Sequence, residues 1–188
     1  MSQAAETLEE VSFPPVGRYE LDPAHTSVEF VARHMLSKVR GRFDEVSGSV
    51  EVTGDGQATV EAQIQAASIS TNQEMRDGHL KSPDFFNAEK FPTMTYKMKS
   101  YEKIGDNQYR TKGDLTLLGM TKEIVLTGTI NGLLPKDPMG NTRAGFSAHG
   151  KINRQDFGMK WSKVLDNGGL VVGDDVDISL EIEVIKQK

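Results

Sequence analysis

The amino-acid sequence predicts an all-β fold in which about eight antiparallel strands form a barrel or a sandwich, interrupted by one short helical segment. Two observations support this prediction. Apolar and polar residues alternate with period two over most of the chain after Gly17, and short turns rich in glycine, asparagine, aspartate and proline separate the alternating stretches. With 188 residues, the chain has the length of one domain.

The alternation is clearest at residues 58–66, where small and branched apolar side chains occupy every second position. The same pattern recurs at residues 28–32, 94–98, 115–117, 124–130, 144–152 and 176–184. Turn signals stand between these stretches at residues 54–56, 105–107, 118–120, 135–141 and 167–169. Such tight turns favour antiparallel neighbours over parallel βαβ units.

The interruption lies between Thr71 and Pro92. Residues 71–74 have the sequence of a capping box, in which Thr71 would accept from the backbone at Glu74, and the helix cannot extend past Pro83. Aromatic residues follow at 85, 86 and 91. Because a helix this short needs a surface to pack against, we expect a lid or plug over one open end of the barrel.

Many positions on the apolar faces hold small residues. They are Ala32, Ala58, Ala62, Ala66, Gly113, Gly128, Gly132, Ala144, Ala148 and Gly150. The volume they leave is either occupied by an apolar ligand or filled by the large side chains of the same strands. The residues alone leave both alternatives open.

Composition limits the possible partners. The chain has 22 Lys and Arg against 27 Asp and Glu, a net charge of −5, so it lacks the basic surplus typical of proteins that bind nucleic acid. No stretch approaches the roughly 20 apolar residues of a transmembrane helix, so we expect no membrane span. Cysteine is absent, which excludes disulfides and thiolate metal sites.

The first sixteen residues differ from the rest of the chain. Residues 1–16 contain three glutamates, no lysine or arginine and no continuous apolar stretch. They predict a flexible N-terminal arm rather than a secretory signal. We therefore expect a cytoplasmic protein with one β-barrel domain at residues 17–188.

The residues that could carry chemistry form no catalytic or metal motif. The four histidines, His25, His34, His79 and His149, lack the close spacing of metal ligands, so no metal site is expected. Asp77 and His79 fall within one helical turn and are the one plausible acid–base pair, but no nucleophile motif accompanies them, which favours a structural role. Arg40 could receive a phosphate, and Trp161 could form a pocket wall or close the barrel.

Seven segments carry a family resemblance. They are Tyr19–Phe30, Arg40–Phe43, Arg76–Phe86, Phe91–Thr93, Gly113–Leu117, Arg154–Gly158 and Gly168–Asp174. In this order they make the chain similar to the YceI-like family of lipocalin-like polyisoprenoid-binding proteins over nearly all of residues 17–184. The resemblance implies an extended antiparallel eight-stranded lipocalin-like barrel with a short helical lid segment. It also implies an apolar tunnel for a long isoprenoid chain, often a homodimer, and no catalytic residues.

The resemblance assigns the isoprenoid chain mainly to apolar residues of the lumen. The corresponding residues here are Phe30, Ile64, Met94, Tyr96, Met98, Leu115, Leu117 and Phe146. Phe43, Phe86, Leu126 and Trp161 are further candidates, and His34, Arg40 and Arg76 are the candidates for contacts with a head group.

The expected function is non-enzymatic binding, with storage or transport, of an isoprenoid lipid such as a polyprenyl chain or a quinone, without any other cofactor. A possible homodimer is the expected assembly. Two alternatives stay open: a packed barrel that acts as a stress-response or protein-interaction module, and an enzyme acting on the bound lipid through Asp77 and His79.

Overall fold

The structure is a computed structural model and describes residues 13–164 and 171–188. Most of the expected N-terminal arm and the turn signal at 167–169 therefore lie outside the described residues. None of the helices in the described ranges combines the length and the apolar character that a membrane crossing requires.

Eleven β-strands and one α-helix occur in the described ranges. In chain order they are β1 (Gly17–Leu21), β2 (Ser27–His34), β3 (Ser37–Phe43), β4 (Val46–Val52), β5 (Ala58–Gln65), β6 (Ile69–Ser70), α1 (Glu74–Lys81), β7 (Thr93–Lys103), β8 (Gln108–Leu117), β9 (Met120–Leu134), β10 (Arg143–Asn153) and β11 (Val172–Lys186). Short 3-10 helices lie at Ala66–Ser68 and Arg154–Phe157.

The eleven segments form eight strand positions around a closed barrel. Both β1 and β2 pair antiparallel with β11. On their other sides, β1 pairs with β4 and β2 pairs with β3. In turn, β4 pairs with β5 and β3 pairs with β6. From β5 the order continues through β7, β8, β9 and β10 to β11, whose pairing with β1 closes the barrel. The predicted antiparallel eight-stranded barrel is confirmed.

Three of the eight strand positions are divided into two segments each, namely β1 with β2, β3 with β4, and β6 with β5. These divisions interrupt the period-two alternation, so the sequence pattern misses part of the fold. The break between β1 and β2 follows from Asp22-Pro23, where the Asp22 carboxylate accepts the N–H of Ala24 at 3.0 Å and turns the chain. The segments β1, β3 and β4 are too short or too charged for their alternation to stand out in the sequence. Their pairing with β11, β2 and β1 is a tertiary feature.

The helix ends as predicted, before Pro83, but its predicted capping box is wrong. Gln73 is the N-cap residue, and its side-chain oxygen accepts the N–H of Arg76 at 2.5 Å. Thr71 is buried two residues earlier, where its hydroxyl and N–H donate to the Asp77 carboxylate at 2.5 and 2.8 Å. Thr71 thus ties the start of the helix to strand β6 instead of capping it.

The core consists of two clusters stacked along the barrel. The larger one is at the helical end and includes Phe43, Ile64, Phe85, Leu117 and Phe157. The smaller one is at the other end around Tyr19, Val50, Val52, Ala144 and Val184. Hydrophobic side chains of intermediate burial line the space between the two clusters.

Candidate functional site

An apolar cavity of about 330 Å³ occupies the inside of the barrel. This volume is near the lower end of the range of small-molecule sites, roughly 300–1,000 Å³. Almost all of the wall is carbon. Among the described residues that line the cavity, Glu29 and Arg154 are the charged ones, and Glu29 is exposed on the outer surface.

The cavity is elongated. On β11 its lining residues extend from Val172 to Ile182, which is about 33 Å of strand at ~3.3 Å per residue. Strands in barrels tilt by about 40° from the axis, so the cavity runs for roughly 25 Å along the barrel. Tyr96 lies in its wall, and burial raises the pKa of the Tyr96 phenol. The space is a narrow apolar tube, suited to an extended chain.

The helical segment covers one end of this tube. Leu80, Phe85 and Phe86 line the cavity, and Phe86 meets Phe43 edge to face with the ring centroids 5.5 Å apart. His79 fixes the segment from outside, since its Nε2 lies 2.8 Å from the Asp84 carboxylate. The sequence prediction of a lid or plug therefore agrees with where these side chains lie.

Phe13 covers the opposite end. Its ring stacks on Tyr101 at 5.8 Å and lies against Tyr109 at 6.2 Å, and both Phe13 and Pro14 line the cavity. The Tyr19 hydroxyl donates to the Pro15 carbonyl at 2.7 Å. The sequence predicts that residues 13–16 belong to a flexible arm, whereas residues 13–15 contact the barrel. The aromatic rings of β7 and β8 are partners for Phe13 that local composition does not reveal.

Arg154 is a site residue to which the sequence analysis assigned no role. It is 2% exposed, yet its guanidinium donates to the carbonyls of Met159, Trp161 and Gly173 at 2.7, 2.8 and 2.9 Å. It also forms an ion pair with Asp174 at 2.9 Å. Arg154 thereby fixes the segment after β10 against the start of β11. Its membership in the Arg154–Gly158 motif is the signal that could have pointed to it.

Eleven of the predicted ligand-binding residues line the cavity. They are Phe30, Phe43, Ile64, Phe86, Met94, Tyr96, Met98, Leu115, Leu117, Leu126 and Phe146. They come together because alternate residues of each strand face the inside of a barrel. Their contact with a ligand stays a prediction.

The other four predicted residues are outside the described cavity lining. Arg40 is exposed, because it occupies the outward phase of β3 between Val39 and Gly41. Arg76 is bonded to Thr71, donating to its hydroxyl at 2.7 Å and to its carbonyl at 2.9 Å.

The remaining two of these four lie beside the lid and at the end of β2. Trp161 packs edge to face against His79 at 4.9 Å and also contacts Phe85. His34 is the last residue of β2 and pairs with Ser37 across the turn. The cationic head-group site that these predictions imply is therefore not assembled inside the barrel.

The small residues serve two purposes. Ala32, Ala58, Ala62, Gly128 and Ala148 line the cavity and leave space there. Gly113 differs, because a Cβ at this position would lie 2.5 Å from the Tyr96 ring. Small residues thus leave a cavity at some positions of the barrel, and a large side chain fills the space at others.

Two polar clusters were candidates for chemistry. Asp77 accepts from Thr71 and His79 pairs with Asp84, so the suggested acid–base pair does not form. Asp22, His25 and Glu183 are close enough to hold a metal ion. However, the Arg143 guanidinium already pairs with two of the three, with Nη1 2.7 Å from Asp22 and 2.5 Å from Glu183.

Arg143 completes this cluster with Asp137, whose carboxylate lies 2.6 Å from Nε. Hydrogen bonds from Arg143 lower the pKa values of Asp22 and Asp137 to about 2. The cluster joins the β1–β2 break, the β9–β10 loop and β11, which indicates a structural role.

Comparisons with known proteins identify the family. The family model of the YceI-like domain matches residues 19–184. A UPF0312 protein of Staphylococcus aureus (strain N315) is 37% identical over 169 residues, covering 88% of this chain and 95% of the relative.

Two solved structures share the fold. The YCEI protein of Campylobacter jejuni is 34% identical with a TM-score of 0.70, covering 81% of this chain and 88% of that chain. A polyisoprenoid binding domain of Saccharophagus degradans, implicated in plant cell wall breakdown, is 16% identical with a TM-score of 0.68, covering 90% of this chain and 98% of that domain. The match over residues 19–184 and the identity to the relatives show that this chain belongs to the YceI-like family.

Proposed function

We propose that the protein binds a long apolar lipid chain of the isoprenoid class in its barrel cavity, and stores or transports that lipid without altering it. The observation that carries the proposal is the narrow cavity of about 330 Å³ with an almost wholly apolar wall. Burying a lipid chain there removes apolar surface from water, which contributes roughly 25 cal/mol per Å².

The shape of the cavity supports a chain rather than a compact ligand. The lining residues follow the strands from Leu80 and Phe86 at one end to Phe13 and Tyr101 at the other. A flexible chain can follow a tube about 25 Å long, whereas a rigid polycyclic ligand would have to widen it. The Saccharophagus degradans domain is described as polyisoprenoid binding, and its common fold with this chain agrees with such a ligand.

The wall of the cavity also limits which lipid head groups could be buried inside it. The one buried cation in its described lining, Arg154, is already bonded to four carbonyls and to Asp174. Burying an unpaired phosphate in such a wall would be costly. We therefore infer that a charged head group, if the lipid has one, stays outside the tube, and that the buried part of the ligand is neutral.

The packed interaction module is the second candidate. The rings over Gly41 and Gly113 favour it, because they fill space that small residues would leave. It does not account for a cavity bounded by five small residues on four strands. The size of that cavity favours lipid binding.

Native mass spectrometry of the purified protein, followed by organic extraction and mass analysis, tests the proposal. We expect a bound species with isoprenoid fragmentation, or uptake of one added polyprenol or quinone per chain. The Ala62→Phe and Ala148→Phe variants should reduce this loading by about tenfold or more, because a phenyl ring would fill the tube.

A matched control is Gln63→Phe, which places the same ring on the outer face of β5, beside Ala62. It should load normally, and circular dichroism should show an intact barrel in all three variants. Equal loading of the wild type and both cavity variants, or no loading of any isoprenoid, would contradict lipid binding in the cavity. The native mass spectra also report whether the chain forms the predicted homodimer.

A further inference from the structure

The turn between β2 and β3 presents large apolar side chains to solvent. Leu36 is 97% exposed and Met35 is 45% exposed. Met35 also has a φ of 46°, in the left-handed region that two-residue hairpin turns normally fill with glycine or asparagine. Met35 therefore carries a backbone cost, and both side chains leave apolar surface at this turn that a partner outside the fold could bury.

Basic residues surround this turn. Arg33 and Lys38 lie directly opposite each other in the strand register, an arrangement of like charges that destabilises a hairpin. Arg40 follows on the same strand. Whereas Arg42 pairs with Asp44, these three cations form no ion pair with any residue in the ranges that the structure describes. A chain with a net charge of −5 thus concentrates unpaired positive charge here.

A neighbouring segment enlarges the same surface. The N–H of Met35 donates to the Val171 carbonyl at 3.0 Å, and the N–H of Val171 donates to the Lys163 carbonyl at 2.9 Å. The adjacent Val164 is 73% exposed. The surface therefore combines exposed apolar side chains with flanking lysine and arginine.

We propose that this β2–β3 tip, residues 33–40, docks on the surface of an anionic lipid bilayer. Met35 and Leu36 would enter the boundary between head groups and acyl chains, while Arg33, Lys38 and Arg40 would contact lipid phosphates. An anionic interface satisfies both features that are costly in the isolated protein. It buries the exposed apolar turn and neutralises the facing like charges.

The tip lies next to one end of the cavity. Val172 pairs with His34 just below the turn and also lines the cavity, as does Ala32. Docking would bring this end of the barrel to the membrane, where a lipid could enter or leave. This last step rests on the proposed function, whereas docking itself does not.

Flotation of the full chain with vesicles tests the docking. The wild type should float with vesicles of phosphatidylcholine and phosphatidylglycerol in equal parts, and much less with phosphatidylcholine alone. Met35→Gly with Leu36→Ser, and separately Arg33→Gln with Lys38→Gln, should weaken binding by about tenfold or more. Both double variants relieve a local cost of folding, so they should keep or raise the melting temperature.

Met139→Ser is the matched control. Met139 is 82% exposed on the loop between β9 and β10, at the opposite end of the barrel, and its loss should leave vesicle binding unchanged. Ala62→Phe should also float normally, so a failure of lipid loading is distinguished from a failure of docking. No flotation of the wild type, or equal flotation of the tip variants, overturns the proposal. Conversion of a dimer to a monomer by the tip variants, without any vesicle binding, would overturn it in favour of self-association.

Discussion

Gly113 shows how a single residue sets the width of the cavity. A Cβ at this position would lie 2.5 Å from the Tyr96 ring, which packs over the glycine and forms part of the wall. Gly41 provides the same space for the Phe30 ring, 2.3 Å from an added Cβ. At both positions glycine is required because a ring from the neighbouring strand packs over it, and the cavity is the volume that these rings leave free.

We predict that Gly113→Ala pushes the Tyr96 ring into the cavity and lowers the free energy of unfolding by about 1–2 kcal/mol, the usual cost of overpacking. Urea denaturation measures this change. Gly132→Ala, where nothing lies within 4 Å of an added Cβ, is the control and should be nearly neutral. Adding Tyr96→Val to Gly113→Ala should recover part of the loss. A Gly113→Ala variant as stable as the wild type would show that the ring is not confined.

At the scale of elements, the two ends of the barrel are closed by different means. A helix with its following aromatic residues covers one end, and a short stretch of extended chain carrying Phe13 covers the other. Only the first was predicted from sequence. Pro83 marks the end of the helix locally, whereas Phe13 is recognisable as a plug only once Tyr101 and Tyr109 are brought together by the pairing of β7 with β8.

We predict that Phe13→Ala speeds the release of a bound lipid several-fold, because it removes the ring that covers this end of the cavity. Stopped-flow fluorescence of a labelled isoprenoid measures the release rate. The stability cost should be small, about 1–2 kcal/mol for the lost aromatic contacts and burial. Val16→Ala, at a residue of the same segment that is 58% exposed, should leave the rate unchanged. An unaltered rate in Phe13→Ala would mean that lipids exchange at the other end.

Across the whole molecule, Arg143 links segments of the barrel that are far apart in sequence. Its guanidinium joins carboxylates from three distant parts of the chain, Asp22, Asp137 and Glu183. Hydrogen bonds to Arg143 lower the pKa values of Asp22 and Asp137 from 3.8 to about 2. A carboxylate with a lowered pKa stabilises the fold above its unfolded pKa, and this contribution is lost as the pH falls through the folded value.

We therefore predict that Arg143→Gln is less stable than the wild type at pH 7, and that the difference narrows as the pH falls from about 4 to about 2. Urea midpoints at a series of pH values measure this. Arg18→Gln removes an exposed pair with Glu20 and should change little at any pH. A wild-type-to-variant difference that is constant from pH 7 to pH 2 would contradict the assigned role of the carboxylates.

Much of the fold could be predicted because its signals are local. Alternation marked the long strands, turn residues marked their ends, and Pro83 marked the end of the helix. Strands β1, β3 and β4 were not predicted, because the alternation of a short or charged strand is weak and the strand is recognised only by its pairing with neighbouring strands. The capping box at Thr71 was wrong for a similar reason: the Asp77 carboxylate, one turn into the helix, is a partner for Thr71 that the four-residue pattern does not include.

Alternation and motif order are properties of the chain, so the antiparallel barrel, its YceI-like family and the small residues on its apolar faces could all be predicted from the sequence. The folded structure was needed to show which small residues leave a cavity and which accommodate a ring, and that Arg40 and Arg76 lie outside the described cavity lining. Those outcomes depend on which strands become neighbours and on the phase of each strand in the closed barrel. Distances across a barrel arise between residues far apart in sequence, and no local pattern encodes them.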